Sequence, residues 1–220
     1  MRLIRERPGV AYGVAGALAL VALLFWARNR GEAPVEADAE MADVAALADQ
    51  RDAEGLVKIA RSADRRPAVS ARALEALATV DRRAAMQPAM SFLSDARPEL
   101  RTTAAAVLAT VPEPAPAIPV LRTTLQKDRE PRVRRASANA LGQLRAWEGL
   151  DALAAALDDK DALVREAAHT AVYRIMGIKF AFDPYGPRDQ RLRAMADVRR
   201  LIPGGKQLFD DYNQRRAAGR

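Results

Sequence analysis

The sequence predicts an all-α solenoid of about four helix pairs, with an apolar span in front and a helical cap behind. Three observations carry that expectation. A short unit recurs, in which an Asp lies five residues before an aliphatic anchor: Asp64 and Val69, Asp95 and Leu100, Asp128 and Val133, Asp159 and Val164. The anchors are spaced 31, 33 and 31 residues apart, and a fixed period in that range marks stacked repeats. After each anchor, Ala and aliphatic residues return every three or four positions, the period of one buried helical stripe. Aromatics make up 5% of the chain although apolar residues make up 50%, and many of the apolar residues are Ala, which favours close-packed helices over a sheet.

Within one copy the local chemistry is readable. Pro precedes the anchor by two in three copies (Pro67, Pro98, Pro131). It suits a first helical turn, where its missing N–H goes unused. The Asp closes the preceding turn and is expected to cap the following helix through its carboxylate. Three copies place Arg directly after the anchor: Arg101, Arg134 and Arg165. Asp128 to Leu144, with Val133-Arg134, Ala138 and Ala140-Leu141-Gly142, resembles the second helix of the HEAT repeat. The likeness is to the short bacterial form also found in phycobilin-lyase-type proteins. It covers roughly residues 50–178. The copy at Asp64 departs from the pattern with Ser70 in place of Arg, and the copy from Asp95 to Val111 lacks the Gly. The resemblance implies a fold and almost nothing about activity. It also implies that the recurrent Arg side chains bond turn carboxylates such as Asp95, Asp128 and Asp159. The competing reading of the same residues is a basic ladder on the concave face.

In chain order, residues 1–8 form a basic flank with Arg2, Arg5 and Arg7. Residues 9–28 read as a transmembrane helix. Gly9 to Trp26 is uncharged, and 18 residues of helix span about 27 Å, close to the hydrocarbon thickness. Tyr12 and Trp26 lie where amphipathic rings favour the membrane interface, and Arg28 and Arg30 close the far side. A cleaved signal peptide is the rival reading. Against it, Arg28-Asn29-Arg30 follows the apolar run at once, with no clean small-residue cleavage site before it. Three Arg and the amino terminus before the span, against two Arg after it, place the amino terminus inside and the body outside, which in a bacterium is the periplasmic side of the inner membrane.

Residues 29–39 read as a tether, and residues 40–50 as the helical start of the solenoid, 40–178. First helices are expected at 53–62, 82–94, 114–126 and 149–158, and second helices at 67–80, 97–110, 131–145 and 161–176. Residues 179–220 form a cap, with a helix over 188–202 ended by Pro203-Gly204-Gly205 and a last short helix over 206–216. The extended Phe180-Ala181-Phe182-Asp183-Pro184-Tyr185 segment before it is similar to closing segments in bacterial HEAT proteins.

The chemistry sought in the chain is sparse. There is no Cys, hence no disulfide, thiolate ligand or Cys nucleophile. His169 is the only His and forms no recognisable metal cluster. No phosphate-binding Gly loop, nucleophile elbow or zinc-protease motif occurs. The expectation is therefore a protein without catalytic, cofactor or metal residues and with no evident small-molecule substrate. The net charge is +7, and the first forty residues balance, so the excess lies on the body. It reads as a solvated Arg-rich surface, with a nucleic-acid-binding face as the alternative. The candidate protein-binding residues are Arg101, Arg134, Arg135, Arg165, Phe180, Phe182 and Tyr185. The function expected is a membrane-anchored scaffold for protein partners, as an accessory or assembly subunit of a membrane complex. A nucleic-acid binder and a bilin-lyase-like enzyme are the alternatives.

Overall fold

The computed structural model describes residues 33–62 and 64–217, and among them every regular element is helical. Helix α1 spans Ala33–Asp49. Four pairs follow: α2 (Ala53–Arg61) with α3 (Pro67–Val80), α4 (Arg82–Phe92) with α5 (Pro98–Leu108), α6 (Ala117–Lys127) with α7 (Pro131–Gln143), and α8 (Leu150–Ala156) with α9 (Ala162–Met176). A single turn of 3₁₀ helix, Trp147–Gly149, leads into α8, and α10 runs over Arg188–Ala217. The chain divides into two compact units between Asp43 and Val44, a boundary that falls within α1. The sequence-predicted span, with Tyr12, Trp26, Arg28 and Arg30, lies outside the described residues. Among the described residues no helix is long and apolar enough to cross a membrane.

The unit from Val44 onward is a two-layer stack. First helices pack on first helices, second on second, and each helix on its own partner. The fully buried side chains come from every pair: Leu56 and Leu77, Leu100 and Leu108, Leu121 and Leu141, Leu153 and Ile175. Each buried Leu or Ile contributes about 1.5–3 kcal/mol relative to exposure. No single pair could enclose such a core alone, which is why the repeats fold as an array. The second-helix layer is the tighter one, because small residues face each other across it. A Cβ placed on Gly142 of α7 would stand 2.8 Å from the Cα and Cβ of Ala171 in α9, a spacing that only Gly permits.

Four expectations are corrected. The turn Asp residues do not cap the second helices. Asp95, Asp128 and Asp159 accept the N–H two residues on, from Arg97, Glu130 and Asp161. That bond closes an Asx turn before the helix begins. Capping of α9 falls to Asp161, which accepts from Leu163 and Val164. The tether is shorter than expected, since α1 already begins at Ala33; this Ala- and Glu-rich stretch has high helix propensity, with Pro34 in its first turn. Helix α6 starts at Ala117 rather than 114, after a turn closed by Ala117 N–H to Pro114 C=O at 2.8 Å; Pro119 then sits in its first turn. Finally, Pro203-Gly204-Gly205 does not end the cap helix. Helix α10 continues through all three. An interior Pro costs about 3 kcal/mol, and packing offsets it: Gly205 lies against Trp147, where a Cβ would meet the indole at 2.7 Å, and the Phe209 ring sits 4.8 Å from the Trp147 ring.

Candidate protein-binding surface

Arg101, Arg134 and Arg165 do not form an exposed ladder. All three are buried at the start of their second helices. Arg101 grips Asp128 of the following repeat with Nε and Nη2, at 2.7 and 3.0 Å, while Nη1 donates to the carbonyls of Asp95 and Ala96 in its own turn. Arg134 repeats the arrangement one repeat later. It grips Asp159 at 2.8 and 2.7 Å, and Nη1 donates to the carbonyls of Asp128 and Arg129. Each guanidinium therefore ties a turn of its own repeat to the turn of the next, in the bidentate geometry that Arg alone supplies. Burial by itself would raise the carboxyl pKa of Asp128. The Arg101 guanidinium and the Glu130 N–H outweigh it, so the group sits below the usual carboxylate range, and Asp128 raises the pKa of Arg101 in return.

The last member of the series has no following repeat. Arg165 Nη1 donates to the Asp159 carbonyl within its own turn, and Nε donates to the carbonyl of Pro184 in the cap. The cap supplies this oxygen from a turn of the same build. Asp183 accepts the N–H of Tyr185 two residues on, as the three repeat Asp residues do. Arg191 and Arg188 then fix α10 through Asp158, at 3.1 and 2.9 Å. Desolvation opposes ionisation of Asp158, and these two guanidiniums more than compensate, which leaves its pKa lowered.

The other candidate residues divide. Phe180 and Phe182 are half-buried where the extended cap segment crosses α9. Their rings stand 4.7 and 5.2 Å from the His169 ring, the first edge-on, and His169 Nε2 lies 3.3 Å from the Phe180 carbonyl oxygen. His169 thus works as a packing and hydrogen-bonding side chain. Tyr185 is 71% exposed. Arg135 is exposed on α7, between Arg132 and the half-buried Asn139. Arg132 reaches Glu99 of α5 at 2.6 Å across the surface of the second-helix layer. That surface continues with Arg72 and Glu75 on α3 and with Leu163, Glu166 and Tyr173 on α9, all exposed. It is a mixed, mostly polar face four helices wide. Among the described residues no group of three His, Cys, Asp or Glu could hold a metal ion.

Sequence reasoning missed one feature. Trp147, Ile175, Met176, Ile178, Leu208 and Phe209 line an apolar slot of about 280 Å³ between the stack and α10. A lone Trp in a connecting turn gave no periodic pattern to read. The available sign was the Gly-Gly pair followed four residues later by Phe209, a gap in a helix face wide enough for an aromatic ring.

Comparison with known proteins agrees with this architecture. A family profile described as HEAT repeats matches residues 53–136 and 118–180. Human deoxyhypusine hydroxylase, in complex with glycerol, is 27% identical with a TM-score of 0.52, over 58% of this chain and 44% of that one. The chain thus spans less than half of that enzyme. The complex of CpcE and CpcF of phycocyanin lyase from Nostoc sp. PCC7120 is 24% identical with a TM-score of 0.48, over 70% of this chain and 97% of that one. An engineered protein at 21% identity, with a TM-score of 0.50 over 78% and 80% of the two chains, shares the fold alone. No curated protein matches the chain in sequence. The profile matches run from residue 53 to residue 180, more than half of the 220 residues, and by them the chain belongs to the HEAT-repeat family.

Proposed function

We propose that this protein is a non-catalytic HEAT-repeat scaffold, tethered to a membrane by residues 9–26, that holds a protein partner on the exposed face of its second helices. The observation that carries the reading is the division of labour among the Arg residues. Arg101 and Arg134 are consumed inside the stack by Asp128 and Asp159. Arg72, Arg132 and Arg135 are left at the surface, interleaved with Glu75, Glu99 and Glu166. A face of alternating sign suits a protein with its own mixed charges better than a uniformly negative nucleic acid. Tethering rests on the uncharged run from Gly9 to Trp26.

Site-specific photo-crosslinking in intact cells tests the binding face. A crosslinker at Arg135 or Tyr173 should give a discrete adduct of one size, and the same probe at Gln126, exposed on α6, should give none. Equal labelling from both faces, or from neither, removes the reading. The tether is tested separately by alkaline extraction of membranes. The full chain should stay in the pellet, and Leu18→Arg should release it, since a central Arg opposes insertion by about 2.5–3.5 kcal/mol.

A further inference from the structure

We infer that the protein pairs with a second copy of itself through an outer flank of α10, antiparallel and about a two-fold axis between Gly204 and Gly205. Helix α10 buries one face against the stack, through Ala194, Val198, Ile202 and Phe209. At 100° per residue, Leu201, Gly204 and Leu208 line up on the flank beside it. Leu201 is 43% exposed and Leu208 is 72% exposed. A Cβ at Gly204 would meet nothing within 4 Å. Single exposed leucines need no explanation. This flank differs because its order is symmetric about the Gly pair.

The leucines lie three residues to either side of that pair. Beyond them come Asp197 and Arg200 on the amino side and Asp211 and Arg215 on the carboxyl side, all exposed. When two copies of α10 cross antiparallel at Gly204-Gly205, Leu201 of each meets Leu208 of the other. Asp211 of the partner subunit then stands level with Val198, between Asp197 and Arg200, and the partner's Arg215 lies one turn beyond. Each end of the contact gathers Asp197, bonded to Arg200 at 2.6 Å, with the partner's Asp211 and the partner's Arg215, while Arg193 further out is held by Asp189 at 3.0 Å. The parallel arrangement instead sets every charge against its own copy, which is unfavourable. The same patch of each copy meeting across a two-fold axis forms the isologous contact that closes a dimer without further growth. Two leucines per copy bury little surface, so the dimer is a weak one, with a dissociation constant of about 1–100 µM.

The full chain in a non-ionic detergent, followed by sedimentation over about 0.1 to 300 µM, a range set to bracket that constant, should pass from the 23.9 kDa chain mass to twice that value. Leu201→Arg/Leu208→Arg should shift the midpoint at least tenfold upward with an unchanged helical spectrum. Because the chain has no Cys, Leu201→Cys and Leu208→Cys each carry a single thiol. A mixture of the two should oxidise to a crosslinked dimer at least tenfold more than either alone. Arg200→Asp should weaken pairing, and Arg200→Asp/Asp211→Arg should restore it. A monomer throughout, a dimer indifferent to the two Arg substitutions, or crosslinking by each Cys variant alone overturns the inference.

Discussion

The joint between the first two repeats and the two joints after it solve one problem differently. In the later joints a buried Arg spans from its own turn to the carboxylate of the next, Arg101 to Asp128 and Arg134 to Asp159. In the first joint Ser70 stands where Arg would be, and its buried hydroxyl finds no hydrogen-bond partner among the described residues. Asp95, with no cross-repeat hydrogen bond seen among the described residues, takes Arg97 of its own turn instead, at 2.9 Å to each oxygen, and that guanidinium is the main reason its pKa is lowered. Helices α3 and α5 still stack, on Val69, Leu77, Leu100 and Leu108. Apolar burial is therefore enough to make repeats stack. The Arg clasp adds directional, charge-assisted bonds that fix how one turn sits on the next.

The sharpest way to break the comparison is to remove a clasp. Arg134→Ala strands a half-buried Asp159 and two turn carbonyls, and should cost about 3 kcal/mol in urea unfolding. Arg97→Ala, which strips the local pair of the first joint where both groups are partly solvated, should cost under about 1 kcal/mol. Gly142→Ala tests the tight packing of the second layer. The added methyl meets the Ala171 backbone, so α7 and α9 must separate, at about 1–3 kcal/mol. At the equivalent positions of the earlier repeats, Ala78 and Ala109 already carry that methyl.

Acid should separate the joints through Asp128. Its carboxyl titrates below the unfolded value of about 3.9, so the folded state holds fewer protons than the unfolded one in that range. The stability this provides is complete above about pH 5 and is lost as the pH falls through the folded pKa. Arg101→Met should flatten that acid limb of a pH series of urea midpoints, and Ser70→Ala should leave its shape unchanged. Ser70→Ala is the smallest effect and runs the other way, a gain of up to about 1 kcal/mol from removing an unpartnered hydroxyl. Native-state hydrogen exchange completes the set: amides of α2 and α3 should open before those of α7 and α9.

The helices of the stack were legible in the sequence because their determinants are local. Pro67, Pro98 and Pro131 open α3, α5 and α7 where the spacing placed them. The Asp–Arg bonds were legible as a pair of residue types, but the neighbour each Arg chooses is a matter of how repeats sit on one another. Linear spacing does not carry that information. Continuity of α10 was illegible for a related reason. Pro-Gly-Gly is a strong local stop, and it is overridden by Trp147, some sixty residues upstream. Of the proposed surface, Arg135 and Tyr185 are exposed, while Phe180 and Phe182 turn inward to His169.

Arg165 settles for a main-chain oxygen at Pro184, offered by a turn whose Asp183 is folded like the Asp of the last three repeats. The stack thus ends on an imitation of its own next unit. A counterfeit fifth turn occupies the place that the turn of another repeat would take on Arg165. It also marks where a longer array could be spliced: a duplicated repeat inserted ahead of the cap would find Arg165 already waiting for its carboxylate.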